Sequence, residues 1–168
     1  MEVFIMLKEE LKVIKQGILN EVEGYEFYMM ASKEAKDEDA KKSLRILAEE
    51  ERKHSEYLRE LFEKMKDGER DGFQLAFLVD PPSPKIFKWE NKQFNKNSIS
   101  VSIFGTAINL EKASVEFYKE AKKKTEIEEA KKLFDLLIKW EKIHLEQFKD
   151  AYDKSMKDWW NEQNFAPF

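Results

Sequence analysis

The 168-residue sequence predicts an all-α protein, a four-helix bundle built from two repeated helical hairpins joined by a long crossover. Three observations carry that prediction. Shifting the sequence by 90 positions aligns its halves without a gap: Phe27-Tyr28 falls on Phe117-Tyr118, Ala40-Lys41-Lys42 on Ala130-Lys131-Lys132, and Glu51 with His54 on Glu141 with His144. The 5 Gly and 4 Pro lie far below the share of an average chain, while 38% charged residues is the balance of long solvated helices, not of a turn-rich sandwich or barrel. Within both halves, apolar residues recur at steps of three and four, the spacing of one helix face.

The elements follow in chain order within one domain, 1–168. The first hairpin, 6–66, pairs a helix over Met6 to Lys36 with one over Asp37 to Lys66. Residues 67–97 hold Pro81-Pro82-Ser83-Pro84, two of the glycines and the scattered aromatics Phe73, Phe87 and Trp89, so they read as a connection. So long a connection suits a crossover that carries the chain back along a bundle between its second and third helices. The second hairpin, 98–157, pairs Ser98 to Lys124 with Thr125 to Lys157. Thr125 and Glu128 have capping-box spacing, which predicts a helix starting at Glu126. The tail, 158–168, runs from Trp159-Trp160 to Phe165-Ala166-Pro167-Phe168 and is too aromatic for a free end. It is expected to dock on its own bundle or on a second subunit, and with the crossover it points to a homodimer.

Composition narrows the function. With 30 basic and 34 acidic residues the net charge is −4, so neither nucleic acid nor an anionic membrane is an expected partner. No apolar run reaches the ~20 residues of a membrane span, and Val3 to Leu7 is too short for a signal-peptide core. The absence of Cys removes disulfides, thiol nucleophiles and thiolate-bound metal centres, and it suits a reducing cytoplasm. The Lys and Glu excess without Cys also resembles thermophile usage.

At mid-length the apolar seam of every helix is interrupted by an acid. The first helix reads Leu11, Ile14, Ile18, Glu21, Tyr25, Tyr28, and the second Leu44, Leu47, Glu51, His54, Leu58, Leu61, Met65. The third reads Val101, Phe104, Ile108, Glu111, Val115, Tyr118, and the fourth Phe134, Leu137, Glu141, His144, Phe148, Ala151. An unpaired carboxylate in an apolar interior costs several kcal/mol or stays protonated, so four of them facing one another require positive charge. No Lys or Arg occupies the seams at that level. Two divalent metal ions balance four carboxylates and two neutral imidazoles. Mixed oxygen and imidazole ligands favour iron or manganese, with zinc also possible. Residues i and i+3 share a helix face, so Glu51 with His54 and Glu141 with His144 each chelate from one rigid element.

Tyr28 and Tyr118 follow Glu21 and Glu111 by seven residues, two turns along the same face, and are candidates to hydrogen-bond ligand carboxylates or to supply an oxidisable phenol. Tyr25 matches Val115 in the repeat, so the surroundings of the two metals are expected to differ. Glu49-Glu50 and Lys122-Lys123-Lys124 read as solvated faces, and Trp140 as packing.

The run Ile18-Leu19-Asn20-Glu21-Val22-Glu23-Gly24-Tyr25-Glu26-Phe27-Tyr28, followed by Leu47-Ala48-Glu49-Glu50-Glu51-Arg52-Lys53-His54, resembles the helix-pair signature of the rubrerythrin branch of the ferritin-like di-iron carboxylate proteins. The third and fourth helices repeat it, so the likeness covers roughly 8–66 and 98–157. The resemblance implies a ferritin-like bundle holding two iron ions, with Glu51 and Glu141 bridging, Glu21 and Glu111 as terminal ligands, and His54 and His144 binding one metal each. Two departures stand out. There is no cysteine-ligated rubredoxin domain, so the reductant is expected to be an external donor such as a rubredoxin-type protein. Residues one turn from Glu111 are Ile108 and Ser114, where rubrerythrin peroxidases tend to carry a further carboxylate.

The leading expectation is therefore a non-haem di-iron oxidoreductase that reduces peroxide or dioxygen. Iron binding with ferroxidation and storage is the alternative served by the same ligands, and a bundle whose metal is only structural is a third.

Overall fold

The computed structural model describes residues 2–35, 38–66 and 98–162. Among the described residues there are four helices: α1 Glu2–Glu34, α2 Glu38–Lys66, α3 Ser98–Lys124 and α4 Glu128–Glu162. They pack as two hairpins, α1 on α2 and α3 on α4, which then face each other as a four-helix bundle.

Burial follows the seams read from the sequence. One apolar cluster gathers Ile14, Leu58, Leu61, Tyr118, Leu133, Phe134 and Leu137. A second gathers Tyr28, Leu44, Leu47, Phe104, Ala107 and Phe148. The first joins the early part of α1, the late part of α2, the late part of α3 and the early part of α4. Hence α1 runs antiparallel to α2 and α3, and α4 does likewise. α2 ends at the end of the bundle opposite to where α3 begins, which is the geometry a crossover serves. The crossover itself, expected over 67–97, lies outside the described residues, as does 163–168 of the expected tail.

Leu47 and Leu137 occupy equivalent repeat positions, one in each cluster, and both are fully buried. Replacing either by Ala removes a core side chain that its neighbours only partly collapse around. Leu47→Ala and Leu137→Ala are each expected to lower stability by about 2–5 kcal/mol, read from equilibrium urea unfolding. The helix surfaces carry ion pairs at three-residue spacing, such as Lys12 with Glu9 at 2.6 Å and Lys131 with Glu128 at 2.8 Å. These are solvent-exposed and add little to stability.

Several boundaries differ from the sequence reading. α1 begins at Glu2 rather than Met6 and stops at Glu34 rather than Lys36; no Gly or Pro precedes Gly17 to delay its start. α2 begins at Glu38 rather than Asp37. α4 begins at Glu128 rather than Thr125 or Glu126, and the expected capping box does not form. Its place is taken by a tertiary cap: Glu10 of α1 accepts the Thr125 hydroxyl and the Glu126 N–H, each at 3.1 Å, while Thr125 Oγ1 accepts the Ile127 N–H at 3.2 Å. α4 also runs five residues beyond Lys157, to Glu162, so Trp159 and Trp160 belong to a helix and not to a tail. No Gly or Pro stands between Lys157 and Glu162 to end it. No helix among the described residues is long and apolar enough to cross a membrane.

Candidate metal centre

Glu21 on α1, Glu51 and His54 on α2, Glu111 on α3, and Glu141 and His144 on α4 all point inward at mid-bundle, and none is more than 3% exposed. They form a polar layer between the two apolar clusters. The structure brings together all six residues singled out by the seam interruptions. The helices place them because each sits on the same 3-4 stripe as the core residues above and below it.

The donor atoms fall into two overlapping groups, Glu21, Glu51, His54 and Glu141, and Glu51, Glu111, Glu141 and His144, with the atoms of each group within 4.8 Å of one another. Glu51 and Glu141 belong to both. Each imidazole turns Nδ1 toward the layer. His54 Nδ1 lies 3.2 Å from Glu21, 3.3 Å from Glu51 and 3.0 Å from Glu141. His144 Nδ1 lies 3.3 Å from Glu51, 3.5 Å from Glu141 and 3.8 Å from Glu111. Close as they are, His144 Nδ1 and Glu51 Oε1 make no hydrogen bond among the described residues. Buried polar atoms left without directional partners are rare, and here they converge as a ligand set does.

The electrostatics of the layer favour added positive charge. No Lys or Arg is among the buried residues described. Burial, together with the charge of Glu141, pushes the carboxyls of Glu21 and Glu111 well above the usual range. Burial also works to raise Glu51 and Glu141, but the imidazoles of His54 and His144 outweigh it and hold both below that range. Burial would depress the two imidazoles, and the surrounding carboxylates overcome it, raising both well above their ordinary value. Carboxyls and imidazoles alike are pushed toward their protonated forms by a layer that holds excess negative charge, a demand that two divalent ions would meet, so the residues present fit a dimetal centre.

The tyrosines cross between hairpins. The Tyr28 hydroxyl, on α1, donates to Glu111 on α3, and the Tyr118 hydroxyl, on α3, donates to Glu21 on α1. Each phenol therefore serves the carboxylate of the other repeat, not the one seven residues before it. Burial, with the facing glutamate second, lifts both phenols well above their usual value, so they stay protonated donors. Each ring is fixed by stacking, Tyr28 on Phe148 at 5.4 Å and Tyr118 on Phe134 at 5.9 Å between centroids.

A cavity of about 330 Å³ enters between α1 and α3. Asn20, Leu110, Ser114 and Phe117 line its approach, and Tyr28, Glu51, Glu111 and Glu141 line its floor. Gly24 borders it, and a Cβ there would stand 3.3 Å from Glu51 Cγ. Glycine lets α1 approach that carboxylate closely.

Two residues read as unremarkable touch the histidines. Glu50 is not part of a solvated face: its side chain is only 25% exposed, and its carboxylate lies 2.8 Å from His144 Nε2. Its neighbour Glu49 does face solvent, paired with Arg52. Trp140 does more than pack, lying flat on His54 with centroids 4.7 Å apart and planes 7° from parallel. Their signal in the sequence is a mismatch, since positions 50 and 140 coincide under the 90-residue shift yet carry unlike side chains.

A family model described as Rubrerythrin matches residues 12–152. A solved structure of a hypothetical protein from Pyrococcus furiosus superposes with a TM-score of 0.67 at 24% identity, covering 88% of this chain and 90% of that one. That likeness supports the fold. No curated protein matches the chain.

Proposed function

This chain belongs to the rubrerythrin family of ferritin-like di-iron proteins, and on that premise we propose that it is an oxidoreductase reducing peroxide, or dioxygen, at two iron ions held by Glu21, Glu51, His54, Glu111, Glu141 and His144. One observation carries the reading: two four-residue donor groups that share Glu51 and Glu141. The shared carboxylates would bridge, Glu21 and Glu111 would be terminal ligands, and each imidazole would bind through Nδ1. Manganese or zinc would fit the same oxygen and nitrogen donors.

Iron held by these six residues would supply the two electrons that, with two protons, turn hydrogen peroxide into two waters. The protein's part is access, orientation and proton placement. The α1–α3 cavity gives a small oxygen species a route to Glu51, Glu111 and Glu141. Tyr28 and Tyr118 hold Glu111 and Glu21 in place and keep a proton beside each. For re-reduction we propose an external donor such as a rubredoxin-type protein.

Protein reconstituted anaerobically with ferrous iron and mixed with hydrogen peroxide or dioxygen in a stopped-flow cell is expected to oxidise at least ~10-fold faster with peroxide, a difference of about 1.4 kcal/mol in barrier. A faster reaction with dioxygen would favour ferroxidation and iron storage. A diferrous form inert to both would sink the redox reading and leave a structural metal.

A further inference from the structure

Positions 50 and 140 each stand one residue before the shared glutamate of their half, and each touches the histidine of the other half. The rest of the layer is nearly symmetric. Glu51 and Glu141 serve both donor groups, and Glu21 and Glu111 each receive a tyrosine hydroxyl. At 50 and 140 the symmetry fails in kind. Glu50 offers His144 Nε2 an anionic acceptor at 2.8 Å. Trp140 offers His54 a ring face, and an indole has a donor but no acceptor.

We propose that Glu50 is a positioning residue for His144, and that through it the metal position bounded by Glu51, Glu111, Glu141 and His144 holds a divalent ion more tightly than the one bounded by Glu21, Glu51, Glu141 and His54. The inference rests on the dimetal reading above. A carboxylate that accepts the outer N–H of a ligand imidazole fixes the ring's rotation and tautomer, leaves the other nitrogen free for metal, and strengthens it as a donor. Glu50 does this with its side chain three-quarters shielded from water, where such a bond is screened little. Stacking by Trp140 fixes the plane of the His54 ring but adds no electron-donating partner.

The test is titration of the metal-free protein with cobalt(II) against a competing chelator, followed by visible absorption and calorimetry. The wild type is expected to fill in two resolvable steps. Glu50→Leu should weaken one step by ~10- to 100-fold and leave the other in place. Glu50→Gln keeps the size of the side chain and a carbonyl acceptor, so it should fall between, and it gives the same reading if the leucine disturbs α2. Glu49→Gln, one residue away on the same helix but facing solvent, should leave both steps unchanged. Equal weakening of both steps by Glu50→Leu, no weakening of either, or a wild type that fills in a single step would each overturn the proposal while leaving the dimetal reading intact. A wild type that takes up no metal would overturn both.

Discussion

Glu141→Ala protein, reconstituted with ferrous iron and desalted, is expected to retain almost no metal, whereas Glu111→Ala retains close to one ion per chain. The difference follows from membership: Glu141 belongs to both donor groups and Glu111 to one. Losing Glu141 removes an anion from each position and leaves His54 without a neighbour now 3.0 Å away. It also leaves the layer short of negative charge among buried imidazoles, so each remaining ligand is poorer than before. Affinity should fall by more than the ~100-fold that loss of an outer hydrogen-bonding partner can cause. Metal analysis of the two variants side by side, with circular dichroism to confirm the helices, reads the outcome. If both variants keep the same amount of metal, Glu141 is not shared.

Removing metal should reverse the pH dependence of stability. Among the six inward-facing acids and imidazoles of the metal-free layer, four have raised values, Glu21 and Glu111 against an ordinary 4.5, and His54 and His144 against an ordinary 6.5. A group with a raised folded-state value stabilises fully below its unfolded value and loses that contribution as pH rises through the folded one. Glu51 and Glu141, held low, act oppositely and lose their contribution on acidification. The metal-free bundle should therefore be most stable in mildly acid solution and weaken toward alkaline pH. Metal ions take the place of the protons, so the loaded bundle gains as pH rises. At 100-fold excess over the dissociation constant each ion adds about 2.7 kcal/mol, and the gap widens with every gain in affinity. Calorimetric melting of both forms between about pH 5 and about pH 8 should show diverging curves. Parallel curves would mean that protons and metal do not compete for these six side chains.

Much of this was legible in the chain because the polar residues lie on apolar stripes. Glu21 and Glu111 stand where a leucine would be expected, and Glu51-x-x-His54 recurs as Glu141-x-x-His144. Periodicity along a single helix is enough to find them. What periodicity cannot supply is which helix a side chain meets. Tyr28 sits two turns beyond Glu21 yet donates to Glu111, because the facing hairpin brings α3 against it. Glu50, one residue off the stripe, looks solvated until α4 places His144 above it. The same limit explains the start of α4: Thr125 has the local spacing for a cap, but Glu10 arrives from α1 to provide it. Nor could the pattern mark the end of α4, since Trp159 and Trp160 read as tail aromatics until the helix is seen to pass through them.

The crossed tyrosines bear on how such a chain came to be doubled. A single hairpin lacks half of its own chemistry, because the phenol that holds its glutamate always comes from the other half. An ancestral hairpin would have had to pair with a copy of itself to build the layer, and in a symmetric pair every position is identical twice over. Fusing two copies into one gene lifts that constraint. Only then can one copy of a site keep a carboxylate while its twin becomes an indole, as at Glu50 and Trp140. In a doubled chain the two halves of the layer are free to diverge, and positions 50 and 140 are where they differ in kind.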